Sequence, residues 1–258
     1  MRCIITGAAD GIGKALAWQY ARAGYQVVGI DRDTARLAQT RAEFAAAGYP
    51  LPCIVADLAQ PDAVADAVRI LAASGPFDVL IHNAGINAVG HFAASNLARQ
   101  RAVLRVNLLA PLLLTQGIVQ AGLLRDGGAL VLIASLSHYV GYPGAAVYAA
   151  TKDGLASFGR SMAVALAPRQ ISVLTVYPGP TRTAHARRYS PDNRHEQRRM
   201  PPEQLAALIF RAQQRRRRIL LPGTAAKIMA AVGHLFPALA EWGMRRAILD
   251  RLGAVQYE

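Results

Sequence analysis

The chain has 258 residues, of which 53% are hydrophobic and 17% are charged, and its formal net charge is +13. This length fits one α/β domain, and the apolar content is sufficient for a sizeable core. No uninterrupted run of 18 apolar residues occurs, which excludes an evident membrane span, and the two cysteines lie in strand-like runs, where buried thiols are expected rather than a disulfide framework.

The first 31 residues predict a strand, a glycine-rich turn, a helix and a second strand. An apolar run at Cys3–Ile5 leads into Thr-Gly-Ala-Ala-Asp-Gly-Ile-Gly at 6–13, a helical pattern that ends at Gly24, and a second apolar run that ends at Asp31. Glycines in such a turn let the backbone approach a pyrophosphate, and the helix N–H groups point at it. The predicted dinucleotide contacts in this turn are Gly7, Asp10, Gly11, Ile12 and Gly13.

Asp31 is the residue of this unit that bears on the choice of cofactor. It follows Gly11 by twenty residues, at the position where a carboxylate accepts the hydroxyls of the adenosine ribose. The same carboxylate would repel a 2′-phosphate, so NAD is favoured over NADP. Lys14 and Arg32 are nearby cations that would soften this preference, unless each is simply solvated.

The next two strands also end in polar or small residues. The run Pro52–Ala56 ends at Asp57-Leu58, where the acid is either a ligand contact or a loop cap. After a helical pattern over 63–73, the run Asp78–His82 ends at Asn83-Ala84-Gly85, whose small residues allow close approach of the backbone to a ligand.

A long helix is predicted over residues 96–124. Asn107 is a poor helix former in an otherwise apolar run, and Pro111, four residues later, has no N–H to donate to the Asn107 carbonyl. The alternative is that Asn107 merely packs at a kink made by the proline.

The segment Ser135–Lys152 carries the strongest chemical signal. Ser135 ends the apolar run Ala129–Ala134, and a helical stretch opening at Tyr148 places that residue one turn from Lys152. A tyrosine that acts as a base at neutral pH needs a pKa about three units below its usual ~10, or about 4 kcal/mol, and a cation ~4 Å away in a half-wet site supplies about that much. The sequence therefore predicts that Lys152 lowers the pKa of Tyr148.

These motifs, in this order, resemble those of the short-chain dehydrogenase/reductase family. The likeness includes the Thr-Gly-x-x-x-Gly-x-Gly turn, Asn-Ala-Gly, the Ser-Tyr-Lys spacing, and a Pro-Gly turn after the run Ile171–Val176. It implies a single Rossmann-like domain: a doubly wound parallel sheet in a three-layer α/β/α arrangement. Residues 1–183 would be the cofactor-binding and catalytic core, and 184–258 the substrate lid and a basic C-terminal segment.

The resemblance also implies roles for individual residues in the interconversion of an alcohol and a ketone or aldehyde. Tyr148 would be the acid/base, Lys152 would hold the nicotinamide ribose, Ser135 would orient the substrate oxygen, and Asn107 would maintain a proton relay. Asp10 occupies a place where phosphate-preferring relatives often carry a basic residue, which again favours NAD. The family's remaining cofactor contacts map to Asp57, Leu58, Asn83, Ala84, Gly85, Pro178, Gly179, Thr181 and Thr183, and no metal is expected.

His82 departs from the family pattern, which usually has a second asparagine there, and this change is expected to alter packing more than chemistry. The substrate is not given, but an apolar pocket is implied by Leu136, Tyr139, Val140 and Tyr142, with Ser137 or His138 adding polarity.

The C-terminal part is basic, with 14 Lys and Arg against 6 Asp and Glu over residues 184–258. A run rich in arginine at 184–202 is predicted to be the substrate lid. The amphipathic stretch Ala226–Leu252, broken at Pro237, either covers the pocket and a subunit contact or lies on a lipid surface. An anionic carrier remains a further option, and a solvated basic face is the plainer alternative.

Two other functions stay open on this sequence: a non-catalytic NAD-binding sensor and a basic surface-binding protein. Nucleic acid is not expected, because the arginines are not interleaved with aromatic residues and no nucleic-acid-binding motif occurs. The first strand enters the glycine turn directly, so no signal peptide is predicted, and a cytoplasmic location is expected, peripheral to a membrane if the lipid alternative holds. Apolar residues on more than one face of the helices at 96–120 and 148–167 predict a homodimer or homotetramer.

Overall fold

Seven parallel strands form one sheet in the computed structural model, which describes residues 1–190 and 192–252. The strand order is β3-β2-β1-β4-β5-β6-β7, so the direction of winding reverses between β1 and β4. The bounds are β1 Arg2–Thr6, β2 Gln26–Asp31, β3 Cys53–Val55, β4 Phe77–His82, β5 Leu124–Ile133, β6 Ser172–Val176 and β7 Ile219–Leu220.

Helices cover both faces of this sheet, which confirms the predicted doubly wound α/β/α arrangement. In the first half they are α1 Gly11–Arg22, α2 Thr34–Ala46, α3 Pro61–Ala72, α4 Leu97–Leu104 and α5 Ala110–Gln120. In the second half they are α6 Ala146–Ala165, α7 Ala184–Tyr189, α8 Pro202–Gln214, α9 Thr224–Leu235, α10 Pro237–Met244 and α11 Asp250–Leu252. The ends of the parallel strands thus meet at one edge of the sheet.

Two apolar clusters, one on each side of the sheet, form the core. Neighbouring residues of one strand belong to different clusters: Ile5 and Ile81 pack on one side, while Ile4 and Leu80 pack on the other. This explains why the central strands are continuous apolar runs rather than alternating ones. A sheet that is buried on both sides is rigid, and it fixes the positions of the residues that follow its strands.

His82, the departure from the family pattern, is part of this core. It is buried, its Nε2 atom lies 2.7 Å from the hydroxyl oxygen of Thr115, and burial lowers its pKa to about 3. The ring is therefore neutral at pH 7, and its contact is with a helix of the core, as expected for a change that affects packing.

The predicted long helix over 96–124 is interrupted by a π-helical turn. The turn, Arg105–Leu109, lies between α4 and α5, and the N–H of Ala110 donates to the carbonyl of Arg105. Asn107 is at its centre and is fully buried. The irregularity that the sequence placed at Asn107 and Pro111 is therefore a π turn.

Among the described residues, one helical run, Leu97–Gln120, has the length and mean hydropathy (1.6) of a membrane span. Its first half contains the charged residues Arg99, Arg101 and Arg105, so it is not an uninterrupted apolar run. Of its most apolar window, 44% is buried within the domain. A core helix of a water-soluble domain meets the same criterion, so this run is weak evidence for a span.

Candidate active site

A cleft of about 1300 Å³ opens at the carboxyl edge of the sheet, beside the reversal between β1 and β4. This is where ligands bind in open α/β sheets. Most of the predicted site residues line it: Gly7, Asp10, Gly11, Ile12, Asp31, Asn83, Ala84, Gly85, Ser135, Tyr148, Lys152, Pro178, Gly179, Thr181 and Thr183. Four predicted residues lie outside the lining: Gly13, Asp57, Leu58 and Asn107.

The turn between β1 and α1 is shaped by close backbone packing. Gly7 and Gly11 have positive φ angles of 69° and 54°. A Cβ atom on Gly13 would overlap the carbonyl oxygen of Gly7, so only glycine lets α1 begin this close to β1. Asn83 secures the same turn, because its Nδ2 atom donates to the carbonyls of Thr6 at 2.9 Å and Gly7 at 3.2 Å. The result is an open cradle over the N-terminus of α1.

Carboxylates and guanidinium groups surround the far end of this cradle. Asp31 accepts hydrogen bonds from the N–H groups of Ala9 and Asp33, both at 3.1 Å, which fix its carboxylate at the cleft wall. Asp10 caps α1 by accepting from the Gly11 N–H at 2.7 Å. Arg36, which also lines the cleft, lies 3.2 Å from Asp10, so the cation is already paired with a carboxylate.

Asp57 and Leu58 follow β3, one strand further from the cleft. The Asp57 carboxylate accepts from the N–H of Ala59 at 3.0 Å, and Leu58 is buried. The sequence leaves two roles open for Asp57, a ligand contact or a loop cap. The contact with Ala59 is that of a loop cap.

Ser135, Tyr148 and Lys152 come together on the wall formed by β5 and α6. The hydroxyl of Ser135 accepts from the N–H of Ser137 at 3.2 Å and has a side-chain hydrogen-bonding interaction with Tyr148. Lys152 is buried, and its ammonium donates to the carbonyl of Ile133 at 2.7 Å. The Lys152 nitrogen is 5.6 Å from the centre of the Tyr148 ring.

The pKa of Tyr148 corrects one expectation. Burial raises the pKa of the phenol, and the hydrogen bond with Ser135 only partly opposes this effect. The predicted lowering by Lys152 is wrong for the free protein, because burial outweighs it; the Lys152 ammonium donates to the Ile133 carbonyl, and burial lowers its own pKa to about 8. Tyr148 is therefore a neutral phenol at pH 7, which suits a proton donor.

Asn107 lies outside the cleft lining and positions the segments around Tyr148 and Lys152 through its side chain. Its side chain accepts from the N–H of Ile86 at 2.8 Å and donates to the Ile86 carbonyl at 2.9 Å, which holds the loop after β4. It also donates to the hydroxyl of Thr151 at 3.3 Å, and that hydroxyl donates to the Tyr148 carbonyl at 2.6 Å. Asn107 thus links the loop after β4 to the helix that carries Tyr148 and Lys152.

The π turn gives a prediction for Pro111, the second residue of α5. Pro111→Ala supplies an N–H four residues after the Asn107 carbonyl and removes the crowding ring, so regular helix is favoured. The Asn107 carbonyl would then accept this N–H and would be lost to the proton relay. We therefore expect kcat to fall by about tenfold, a barrier increase of about 1.4 kcal/mol, with a larger solvent isotope effect and unchanged cofactor affinity. The free energy of unfolding should rise, by at most about 3 kcal/mol.

The matched control for Pro111 is Pro61→Ala at the first turn of α3, since Pro61 is not among the residues that line the cleft. Steady-state kinetics in light and heavy water measure both variants. An unchanged kcat and isotope effect in Pro111→Ala, in a crystal structure that retains the π turn, would assign the turn to Asn107 and its packing instead.

The substrate side of the cleft was only partly visible in the sequence. Leu136, Ser137, Val140 and Tyr142 line it as predicted, whereas Tyr139 and His138 do not. His138 instead pairs with Asp153 at 2.9 Å and stacks on Tyr177, which Tyr139 also contacts. His185 and Arg188 of α7, which belong to the predicted lid segment, also line the cleft, and so do Met229, Met244 and Ile248 of the C-terminal helices, which the sequence did not single out.

Comparisons with known proteins agree with this geometry. A family model described as short chain dehydrogenase matches residues 2–194. The Ketoacyl reductase HetN of Nostoc sp. is 34% identical over 179 residues, which are 68% of this chain and 62% of that protein. A short-chain dehydrogenase from Sphingobium yanoikuyae, solved with NADPH, has a TM-score of 0.79 and 27% identity, covering 92% of this chain and 94% of its own.

A second solved structure extends the likeness. The putative NAD(P) dependent gluconate 5-dehydrogenase from Beutenbergia cavernae is 32% identical, with a TM-score of 0.76, over 85% of this chain and 93% of its own. The matches span 57%, 62% and 56% of the lengths of the first curated relatives, so a large part of each relative has no counterpart in the match. The family model ends at residue 194, before α8 to α11.

Proposed function

The chain belongs to the short-chain dehydrogenase/reductase family, and on this basis we propose that it interconverts an alcohol and a ketone or aldehyde with NAD or NADP. The observation that supports the proposal best is the shared wall of Ser135, Tyr148 and Lys152 in a cleft at the winding reversal of the sheet. A phenol held next to a hydroxyl and an ammonium is suited to transferring a proton to or from a carbonyl oxygen.

The cleft fits a nicotinamide dinucleotide. Gly7 and Gly11 line the cleft at the N-terminus of α1 and carry no side chain there, which suits a diphosphate at a helix N-terminus. We assign the diphosphate to the turn at 7–13, the adenosine ribose to Asp31, the nicotinamide ribose to Tyr148 and Lys152, and the carboxamide to Thr183. When bound, the nicotinamide supplies or accepts the hydride.

The chain's own residues then handle the proton. In the reductive direction, the Tyr148 phenol donates its proton to the substrate oxygen while the Ser135 hydroxyl holds that oxygen. Burial raises the pKa of the phenol, so it is protonated at neutral pH. The Lys152 ammonium, with its pKa lowered to about 8, is charged below that pH, and it would hold the nicotinamide ribose. Asn107 holds the loop after β4 against the helix that carries Tyr148 and Lys152.

Asp31 gives a prediction for cofactor choice. We expect the wild type to prefer NADH over NADPH in kcat/KM, because the fixed carboxylate of Asp31 accepts ribose hydroxyls and repels a 2′-phosphate. Asp31→Ser should narrow the preference by about 10- to 100-fold, since a hydrogen bond to a charged group is worth roughly 1.5–3 kcal/mol. Asp62→Ser, which removes an acid on α3 outside the cleft lining, is the control.

A wild type that prefers NADPH would contradict this assignment. The solved relatives from Sphingobium yanoikuyae and Beutenbergia cavernae contain NADPH and NADP, so that outcome has a precedent. In that case Arg32 and Arg36, which also line the cleft, would be the cations that bind the 2′-phosphate.

The substrate class follows from the walls of the cleft. Leu136, Val140, Met229, Met244 and Ile248 make its substrate side apolar, which suits a carbonyl compound with a large apolar group. Screening ketones and 3-ketoacyl thioesters by the loss of NADH or NADPH absorbance tests this proposal.

We also propose a cytoplasmic homodimer. Its contact would be formed by the exposed side chains of Leu104 and Leu109, at α4 and the π turn that follows it, and of Val164 on α6.

A further inference from the structure

The C-terminal helices expose an unusual amount of apolar surface. In the parts of the chain that the structure describes, fifteen large apolar side chains are exposed, and six of them lie between residues 228 and 242. They are Ile228, Met229, Leu235, Phe236, Leu239 and Trp242, which we call the apolar tip. Single exposed apolar residues are normal, but such a concentration marks a binding surface.

Helix α9 turns its small residues inward and its large ones outward. Ala226 and Ala230 are buried, and a Cβ atom on Gly233 would overlap the carbonyl oxygen of Tyr139. Ile228 and Leu235 are 58% and 66% exposed. Packing within the domain therefore fixes α9 through its narrow side, and its large apolar side chains are left for another contact.

Helix α10 continues the same surface. It has no buried residue, and Phe236, which joins it to α9, is 61% exposed. Leu239 and Trp242 are 56% and 53% exposed. The guanidinium of Arg246 lies 4.3 Å from the centre of the Trp242 ring, which places a cation beside the apolar surface. Aromatic rings next to arginine or lysine are typical of the interfacial region of a bilayer.

The charges around the tip decide between two occupants. Over residues 224–252 there are four Lys and Arg against two Asp and Glu, within a chain of net charge +13. Lys227 is exposed at one end of the tip, and Arg246 follows the other end together with Arg245, which lies 3.6 Å from Asp250. A second copy would bring these cations against the same cations, which costs binding energy. An anionic lipid surface offers the complementary charge.

We propose that the apolar tip docks the protein on an anionic lipid bilayer. Ile228, Leu235, Phe236, Leu239 and Trp242 enter the interfacial layer, and Lys227, Arg245 and Arg246 contact lipid phosphates. The same segment also lines the cleft, through Met229 at the border of the tip and through Met244 and Ile248. Docking therefore places the apolar mouth of the cleft next to the bilayer, where an apolar carbonyl substrate would be dissolved. The docking itself does not depend on the proposed catalytic activity.

Trp242 provides a direct measurement. The chain has two tryptophans, and Trp18 is stacked on Phe44 inside the domain, with ring centres 3.8 Å apart. In a full-length Trp18→Phe variant, adding vesicles of phosphatidylcholine and phosphatidylglycerol should shift the Trp242 emission to shorter wavelength. Vesicles of phosphatidylcholine alone should bind at least about tenfold more weakly. Binding should weaken steeply as salt rises from about 0.05 M to about 0.5 M, because the Debye length shrinks.

Matched variants separate the two contributions in vesicle co-sedimentation. Phe236→Ser and Leu239→Ser should each weaken binding by about tenfold, whereas Ile70→Ser, an exposed apolar residue on α3, should not. Lys227→Gln with Arg246→Gln should abolish the preference for anionic lipid, whereas Arg41→Gln on α2 should not. Melting temperatures within a few degrees of the wild type establish that the variants are folded.

Two results would overturn the proposal. One is the absence of vesicle binding, or binding that is the same for the tip variants and the Ile70→Ser control. The other is concentration-dependent self-association in sedimentation equilibrium that Phe236→Ser abolishes, without vesicle binding, which would assign the tip to a contact between copies. Turnover of a soluble ketone is measured in parallel, so loss of docking is distinguished from loss of the proposed activity.

Discussion

Replacing Tyr148 with phenylalanine is expected to lower kcat for carbonyl reduction by at least about 10³-fold and to weaken NADH binding by at most about tenfold, the loss of one hydrogen bond to the ribose. The substitution removes only the phenolic oxygen, and a positioned general acid contributes about 10²–10⁴-fold to the rate. Because the pKa of this phenol is raised by burial, the proton is in place at neutral pH in the wild type. Stopped-flow reduction of an accepted ketone and fluorescence titration with NADH measure the two quantities.

Tyr139→Phe is the matched control, because Tyr139 is near the same wall but outside the residues that line the cleft. It should retain turnover within about threefold of the wild type. If Tyr148→Phe keeps more than about a tenth of the wild-type kcat, another group donates the proton, and the role of Tyr148 is wrong.

Replacing Lys152 with methionine is expected to abolish detectable turnover and, at neutral pH, to make the protein more stable. The ammonium is buried, and its pKa is lowered from 10.5 to about 8, so the folded state binds this proton less tightly than the unfolded chain. At pH 7 that difference corresponds to roughly 3 kcal/mol against folding. The hydrogen bond to the Ile133 carbonyl, which methionine cannot make, recovers part of it.

The pH dependence of this effect has a definite sign. Between about pH 8 and pH 10.5 the unfolded chain carries the Lys152 proton and the folded protein does not, so the free energy of unfolding of the wild type gains from rising pH. Relative to Lys152→Met, the wild type should therefore gain roughly 2–3 kcal/mol of stability between about pH 7 and about pH 10. Urea unfolding of both proteins at a series of pH values measures this difference.

Lys227→Met, on the exposed face of α9, is the control, and its stability difference from the wild type should hardly change with pH. The same flat response in Lys152→Met would mean that Lys152 keeps the proton affinity of a solvated lysine, which contradicts the burial described above.

The elements that hold the cofactor end of the cleft were predictable because their sequence signals are local. Glycine is required at position 13 of the turn over residues 7–13, because backbone packing leaves no room for a Cβ atom there. The spacing of Tyr148 and Lys152 follows from helix geometry alone. The buried strands were recognisable as continuous apolar runs between turn residues.

The electrostatics of the site were not predictable in the same way. The spacing predicts that Lys152 lies one turn from Tyr148, but it does not predict which hydrogen-bond partner the ammonium has. The structure gives it the Ile133 carbonyl at 2.7 Å, and burial then moves the Tyr148 pKa upwards. Likewise, Asn107 and Pro111 indicated an irregular helix, whereas the π turn depends on the contacts of Asn107 with Ile86 and Thr151.

The C-terminal helices show a different limit. An amphipathic pattern normally predicts that the large apolar side chains face the core. In α9 the core instead takes Ala226, Ala230 and Gly233, because the helix lies too close to Tyr139 for larger side chains. The sequence pattern predicts an amphipathic stretch, but which face of α9 is buried depends on the distance between two elements far apart in the chain.

The most direct test of the account is the transfer of a hydride from the cofactor to a carbonyl carbon. The protein is incubated with NADH or NADPH that carries deuterium at both hydrogen positions of C4 of the dihydronicotinamide, and with ketones and 3-ketoacyl thioesters of increasing apolar size. The wild type should form an alcohol with one deuterium on the carbinol carbon, and Tyr148→Phe should form it at least about 10³-fold more slowly. Tight binding of both cofactors without any deuterated alcohol across the series would contradict it, and would favour a cofactor-binding sensor on the same fold.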